Sequence, residues 1–289
     1  MANKIVKVRY VRDDNKEFVI DGSVFGIPSK DGIEGIDFAE WDVYKENLAL
    51  KDGSVITGKS YSGRSVVVNF RNKDLSNMDA DRDSARRFFN PKHEFKVYIT
   101  YRGITRWIGG VIEGVSMPTE NVYQAPEYKI GLYCADPYFK SVDNFGKDIA
   151  DVSPMWGWPW ICTDEIKPVF SVFNYDPYIY IENDGDVSAP LIARLTFDGP
   201  VSDPKIIQGY EEKFFQLNGN FDENDIVIID FENQIVLRNG IKAFNLVDKN
   251  SQDLDIPIGT TLYSISCSDP DDTILMHCYL SFYKRYGGI

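Results

Sequence analysis

The stretch GLYCADPYF, residues 131–139, decides how the chain is divided. Residues 130–133 have the character of the end of a β-strand. Asp136-Pro137 then stops the strand, because proline has no N–H for a ladder hydrogen bond and disfavours the helical conformation at the residue before it. Two aromatic residues follow at once. We interpret this change of pattern as the end of one domain.

The chain before this stretch is rich in predicted strands. Alternating apolar residues and turn signals predict a hairpin from residues 4–11 and 17–20, followed by strands at 65–70, 94–103, 104–117 and 123–134. The pair Gly109-Gly110 interrupts one of these strands and predicts a bulge or a sharp bend there.

One helix is predicted in this part of the chain, at about residues 75–89. Apolar residues recur at helical spacing, acidic residues crowd the first turns, where the helix dipole favours them, and Asn90-Pro91 ends the pattern. The segment DADRD (79–83) imitates the start of a calcium loop, but Ser84 and Asn90 stand where the loop needs glycine and glutamate. A solvated helix face is the better interpretation.

The middle of the chain, about residues 141–180, differs from both sides. It contains SPMWGWPWI (153–161), in which Trp156, Trp158 and Trp160 share one face if the segment is extended. We interpret these residues as a hydrophobic clasp that packs a connector against the neighbouring domains. The alternative is an exposed platform on which sugar rings stack.

The last third of the chain is predicted to be a β-sandwich. Two strands are predicted within 177–199, and one each at 205–217, 225–231, 234–240, 261–267 and 274–286. Turn signals at 183–186, 231–234 and Asn239-Gly240 separate them. Short strands at regular spacing, with no helical pattern between them, are typical of a sandwich.

The composition limits the functions that are open to the chain. Its 289 residues suffice for about two domains, and a hydrophobic content of 43% predicts an ordered globular protein. The formal net charge of −13 argues against sequence-specific binding of nucleic acid, which depends on clustered Lys and Arg. No signal-peptide pattern is present, and no apolar run approaches the roughly 20 residues that cross a bilayer. We expect a soluble cytosolic chain with no membrane partner.

The residues that serve most often as metal ligands or nucleophiles are few and scattered: Cys134, Cys162, Cys267, Cys278, His93 and His277. They show no zinc-ligand spacing, and free thiols in a reducing compartment are expected. We predict no metal site and no cofactor.

No catalytic set stands out. His277 and Cys278 are adjacent in a predicted strand and therefore point to opposite faces. His277 and Cys267 could meet across a hairpin, but a strand histidine and a core thiol are the simpler interpretation. The many acidic pairs lie in turns, where turn chemistry explains them better than glycoside hydrolysis. We predict that the protein is not an enzyme.

Taken together, the chain resembles the distal tail protein (Dit) family of long-tailed, siphophage-type bacteriophages and prophages. Three stretches carry the resemblance in order along nearly the whole chain: the strand–helix–strand unit 65–99, GLYCADPYF, and IENDGDVSAPLIARLTFDG (181–199). The family's junction motif is matched at Cys134, Asp136, Pro137 and Tyr138. The opening of its second half is matched at Asn183, Gly185, Asp186 and Pro190. The carbohydrate-binding insertion that some members carry has no room here.

The resemblance implies a structural protein of the virion tail tip. Six copies would form a hexameric ring, the baseplate hub, from their N-terminal domains, and galectin-like C-terminal sandwiches would project outward. The ring would join the tail tube protein to tail-associated or tail-tip proteins and to receptor-binding or baseplate proteins, after assembly in the cytoplasm of the bacterial host. Cys134 would be a buried thiol, Asp136-Pro137 the turn out of the ring domain, and Tyr138-Phe139 a plug on the connector.

We therefore predict a mainly β protein in three parts. Residues 1–140 form the ring domain with its one helix, residues 141–180 an aromatic and proline-rich connector, and residues 181–289 the galectin-like sandwich. The alternative function is a carbohydrate-binding module that attaches to a cell-surface polysaccharide through the tryptophan segment. A glycosidase ranks third.

Overall fold

The computed structural model describes residues 6–28, 32–48, 52–73, 76–118, 127–149, 152–154, 171–173, 177–210 and 213–289. The chain divides into two compact units: unit 1 is Met1–Val142 with Arg285–Ile289, and unit 2 is Asp143–Lys284. Unit 1 is therefore built from two segments of chain, and unit 2 is inserted between them. Both units are mainly β, as the sequence predicts.

Unit 1 contains a large antiparallel sheet, one helix and a separate hairpin. Its elements are β1 (Lys7–Arg12), β2 (Glu17–Ile20), β3 (Phe25–Gly26), β4 (Ile33–Glu34), β5 (Trp41–Asn47), β6 (Ser54–Tyr61), β7 (Arg64–Asn72), α1 (Met78–Phe88), β8 (Glu94–Tyr101), β9 (Ile104–Ser116), β10 (Glu127–Cys134), β11 (Phe139–Ser141) and, from the second segment, β28 (Arg285–Tyr286).

The large sheet of unit 1 almost closes on itself. Its strand order is β2-β1-β8-β9-β10-β7-β3, with β4 paired to β7 and with β11 paired to both β9 and β28. The two ends of this order approach each other, since the rings of Phe18 on β2 and Phe25 on β3 lie 4.8 Å apart. The inner face of the curved sheet forms the core of the unit.

Helix α1 closes the core of unit 1. It presents Ala85 and Phe88 to the inner face of the sheet, and the guanidinium of Arg12 donates to the carbonyl of Phe88 at the end of the helix. The observed bounds are slightly shorter than the predicted 75–89. DADRD lies within this regular helix, and no group of side chains in the described ranges could hold a metal ion.

The bulge in β9 lies elsewhere than the sequence predicts. Pairing with β8 runs unbroken through Gly109 and Gly110, and the register shifts only on the β10 side, between Gly131 and Leu132. The space around Gly110 explains why glycine stands there. A Cβ at this position would lie 2.6 Å from the carbonyl oxygen of Tyr133, so the glycine permits a close approach rather than a bulge.

Unit 2 contains sixteen further strands: β12 (Phe145–Ile149), β13 (Val152–Pro154), β14 (Ser171–Phe173), β15 (Tyr178–Asn183), β16 (Ala189–Pro190), β17 (Ile192–Phe197), β18 (Val201–Ser202), β19 (Lys205–Gln208), β20 (Lys213–Gln216), β21 (Asn220–Phe221), β22 (Ile226–Asp230), β23 (Ile235–Arg238), β24 (Ile241–Lys242), β25 (Asp255–Ile256), β26 (Gly259–Ser266) and β27 (Met276–Phe282). Two 3-10 helices are Phe244–Leu246 and Pro270–Leu275.

The strands of unit 2 form the predicted sandwich. A six-stranded sheet (β12-β27-β17-β22-β23-β24) and a four-stranded sheet (β15-β26-β19-β20) contribute to one common apolar core. Two predicted strands are in fact divided. The segment 205–217 turns back on itself as the hairpin β19–β20, and the segment 274–286 contains β27 of unit 2 and β28 of unit 1. No helix among the described residues is long and apolar enough to cross a bilayer.

Candidate functional site

The junction motif lies in unit 1, where β10 ends. Cys134 is fully buried, and this burial raises the pKa of its thiol to about 12. Such a thiol stays protonated near neutral pH and is therefore a packing group rather than a nucleophile. The chain turns at Asp136-Pro137, and a carboxylate oxygen of Asp136 accepts a hydrogen bond from the backbone N–H of Tyr138 at 3.3 Å. Phe139, the next residue, is completely buried.

Asp136 also connects the two segments of unit 1. Its carboxylate lies 3.2 Å from Nζ of Lys140 and 3.1 Å from a guanidinium nitrogen of Arg285. The same guanidinium lies near the ring of Tyr138, 5.7 Å from its centroid. The junction motif therefore binds the segment in which the chain leaves unit 1 to the segment in which it returns.

The second motif fixes a turn in unit 2. Asn183 is fully buried, and its side-chain amide donates to the carbonyls of Val187 at 3.1 Å and Ile256 at 2.9 Å. Its side-chain oxygen accepts from the backbone N–H of Gly185 at 2.9 Å. All hydrogen-bonding groups of this buried amide group are used within the fold, so its role is structural.

Unit 1 has an exposed apolar surface on a hairpin made of β5 and β6, which we call the 41–61 hairpin. Among the described residues its two strands pair only with each other, and every residue of β5 is exposed. Trp41, Tyr44 and Ile56 are 53%, 56% and 56% exposed. A two-stranded sheet without a covering layer is marginally stable in water, so such a surface indicates a binding partner.

The 41–61 hairpin is absent from the predicted strands, although the sequence carries a signal for it. Asp52-Gly53 ends the connection 48–53 between two runs rich in β-branched and aromatic residues, and Gly53 adopts a positive φ of 109°. An Asp-Gly pair between such runs is a hairpin signal. The exposure of both strands, however, depends on the tertiary structure and has no comparable signal.

Charge is distributed unequally between the two units. Unit 1 contains 22 Lys and Arg against 20 Asp and Glu, whereas unit 2 contains 9 against 24. The resulting net charges, +2 and −15, account for the −13 of the whole chain. Net charge therefore opposes contact between copies of unit 2 much more strongly than contact between copies of unit 1.

The three tryptophans of the predicted clasp, Trp156, Trp158 and Trp160, lie outside the described residues. So does Cys162. The choice between a clasp and a sugar platform thus stays a prediction. The other three cysteines are free thiols. Cys278 lies on β27 of the six-stranded sheet, and Cys267 follows β26 of the four-stranded sheet.

Three residues considered for catalysis, His277, Cys278 and Cys267, have the following surroundings. Nε2 of His277 lies 2.8 Å from a carboxylate oxygen of Asp198. Cys278 is fully buried, and burial raises the pKa of its thiol. The sulfur of Cys267 contacts the carbonyl oxygen of Asp269 at 2.9 Å, so it has a partner of its own.

Comparisons with known proteins agree with the resemblance seen in the sequence. Residues 184–286 match a family model described as "Siphovirus-type tail component, C-terminal domain". No curated protein sequence matches the chain.

Solved structures share the fold of the whole chain. The Dit protein (gp 19.1) of phage SPP1, described as a hub of the adsorption apparatus in phages that infect Gram-positive hosts, aligns with a TM-score of 0.68 at 12% identity, covering 96% of this chain and 98% of its own. A chain of the phage P2 baseplate, in its activated conformation with Ca, aligns with a TM-score of 0.51 at 8% identity, covering 99% of each chain. At these identities the likeness establishes the fold. With the family match to residues 184–286, it confirms the chain's resemblance to the distal tail proteins of siphovirus-type phages.

Proposed function

We propose that this protein is a structural hub of a phage tail tip, which assembles as a hexameric ring through unit 1. The ring joins the tail tube to the tail-tip proteins, and unit 2 offers surface to receptor-binding or baseplate proteins. The protein performs no catalysis in this role. The 41–61 hairpin is the observation that carries the proposal.

The 41–61 hairpin supports self-association because, in the part of the chain that the structure describes, every residue of β5 is exposed. The exposed Trp41, Tyr44 and Ile56 give it an apolar surface that a neighbouring copy can bury. A projecting element that binds a different surface on the next copy makes a head-to-tail contact, and such contacts close into rings when the rotation between copies permits it. The hairpin therefore suits a cyclic assembly.

The charge distribution supports the choice of unit 1 as the ring-forming part. Its net charge of +2 allows several copies to pack closely, while the −15 of unit 2 opposes contact between sandwiches. Repulsion of this kind acts over about 8–10 Å at physiological ionic strength. The same negative charge favours partners whose facing surface is basic.

Electron microscopy of the negatively stained protein tests the proposal, with the purified protein alone and mixed with purified tail tubes of the same phage. We expect six-fold rings that bind to one end of the tubes. A matched sample of a hairpin variant, Tyr44→Ser with Ile56→Ser, should show no rings in either condition. Wild-type protein that stays dispersed as single copies, both alone and with tubes, would refute the proposal.

A further inference from the structure

We infer that residues 285–289, which we call the return segment, are a latch that completes unit 1 only after unit 2 has been made. The inference rests on the proposed function, since it concerns when unit 1 becomes able to assemble. It derives from the contacts of five residues that follow unit 2 in the chain but lie within unit 1.

The return segment satisfies a buried arginine. Arg64, at the start of β7, is only 6% exposed, and its guanidinium donates to three main-chain carbonyls: Gly35 at 3.3 Å, Asp37 at 2.8 Å and Gly287 at 2.6 Å. The shortest of these bonds goes to the return segment. Without the segment, the guanidinium would lose its shortest hydrogen bond within unit 1, and such a bond to a charged group contributes to stability.

A second arginine, Arg106, also binds the return segment. The guanidinium of Arg106 on β9 lies 3.6 Å from the ring centroid of Tyr286 and donates to the carbonyl of Gly288. The backbone N–H of Ile289 in turn donates to the carbonyl of Ile36 at 3.0 Å. The return segment thus connects the sheet to the stretch 35–38.

The return segment packs closely against the backbone of Ile36 and Asp37. A Cβ at Gly288 would lie 3.0 Å from the carbonyl oxygen of Ile36 and 3.2 Å from the carbonyl carbon of Asp37. Both neighbours are backbone atoms, which cannot move aside as a flexible side chain can. A side chain at position 288 would therefore press on this backbone, which glycine does not.

The segment also extends the sheet beside the junction motif. Phe139 pairs with Tyr286, and Lys140 pairs with Arg285, whose guanidinium binds Asp136. Without β28, one edge of β11 would lose this partner. An unpaired strand edge invites pairing with other chains.

The order in which the segments are synthesised determines when these contacts can form. Translation delivers Met1–Val142 first, then all of unit 2, and the return segment only afterwards. Until then Arg64 lacks its contact with Gly287, and β11 lacks β28. Unit 1 is therefore incomplete while unit 2 is being made, and the latch delays ring assembly until both units are present.

Gly288→Val in the 289-residue chain tests the latch, because the valine side chain would press on the backbone of Ile36 and Asp37. Gly114→Val is the matched control, since Gly114 lies on a strand of the same unit with no positive φ and open space around its Cβ position. Hydrogen exchange of backbone amides and light scattering are measured on both variants and on the wild type.

We expect the amides at 32–38 and 139–141 of Gly288→Val to exchange at least tenfold faster than in the wild type, with 192–197, 226–230 and 276–282 unchanged. The assembled fraction should fall at least tenfold, and Gly114→Val should retain wild-type exchange at these sites. Unchanged exchange at 32–38 and 139–141 would overturn the latch, even in a wild-type protein that does not assemble. A wild type that fails to assemble, both alone and with tail tubes, while its variant loses protection would refute only the proposed function.

A chain that ends at Lys284 provides an independent variant. We expect it to keep wild-type exchange within unit 2 and to form no rings. Rings formed by this shortened chain would contradict the latch and leave the proposed hub role intact.

Discussion

The two units differ in how much of their apolar surface they bury and in their net charge. Unit 2 is one continuous segment whose two sheets share an apolar core, and its net charge is −15. Unit 1 is nearly neutral, consists of two segments of chain, and exposes the 41–61 hairpin within the described residues. The exposed apolar hairpin thus lies in the unit with the smaller net charge. Under the proposed function, unit 1 is the part that self-associates, and the charge of unit 2 opposes contact between its copies.

Cavities in the two cores should show whether the units fold separately. Phe70→Ala removes a buried ring that lies 5.5 Å from Phe25 and 5.2 Å from Tyr128 in unit 1, and Leu280→Ala removes a buried side chain in unit 2. We expect losses of about 3–5 and about 2–5 kcal/mol respectively in the free energy of unfolding. Hydrogen exchange during urea titration assigns each loss to a unit.

Each substitution should raise amide exchange only in its own unit. The wild-type protein, measured in parallel, gives the reference for both. Equal loss of protection in both units of either variant would contradict the comparison, since it would mean that the two parts unfold as one.

Much of the fold could be predicted because its signals are local. Alternation in residues 94–103 is sufficient to predict β8, and Asn239-Gly240 predicts the turn between β23 and β24, where both residues adopt positive φ. The insertion of unit 2 between the two segments of unit 1 could not be predicted in this way. The pairing of β28 with β11 joins residues about 145 positions apart, and two short strands leave no periodic pattern.

The candidate site, too, could be predicted only in part from the sequence. The motif residues Cys134 and Asp136 stand out in the sequence because a strand end and an Asp-Pro turn have characteristic residues. The partners of the motif do not stand out. Arg285 binds Asp136 only through the return of the chain to unit 1, and the exposure of the 41–61 hairpin depends on what the rest of the chain fails to cover.

The tryptophan segment offers a test of the function of the middle of the chain. If Trp156, Trp158 and Trp160 form a clasp, replacement of Trp158 by Ala should cost roughly 3 kcal/mol of stability, because a buried ring is lost. Thermal melting should shift by several degrees, with no glycan binding in either form. A variant with an unchanged melting point and lost binding to cell-surface polysaccharide would support the sugar platform instead.

The ion pair between Arg12 and Asp14 in unit 1 is expected to have a smaller effect on stability, and this effect depends on pH. A hydrogen bond from Arg12 lowers the pKa of the Asp14 carboxyl below its usual value. Because the pKa is lower in the folded than in the unfolded state, the pair stabilises unit 1 at neutral pH, and this contribution is lost as the pH falls below about 4.

We therefore expect Asp14→Asn to be less stable than the wild type at pH 7, with a difference that shrinks in acid. Urea denaturation at a series of pH values measures it. Asp83→Asn on α1 is a matched control, since Asp83 is exposed on the helix surface and lies beyond the first turn. A difference between Asp14→Asn and wild type that is constant from pH 7 to pH 3 would contradict the assigned role of the ion pair.

The smallest effect on stability is expected at the 41–61 hairpin. Tyr44 and Ile56 are exposed in the single chain, so replacing both by serine should change the free energy of unfolding of the monomer by less than about 0.5 kcal/mol. Thermal melting at low protein concentration measures this. A loss of several kcal/mol would mean that the hairpin stabilises its own chain rather than an interface.

Light scattering of the wild type and of this double variant, over a wide range of protein concentration, tests the central claim most directly. The claim predicts a wild-type particle with six times the 33.0 kDa mass of one chain, and a variant that remains at 33.0 kDa. A wild type that stays at the mass of one chain at every concentration, also beside its tail partners, would contradict it. So would a variant that assembles as the wild type does.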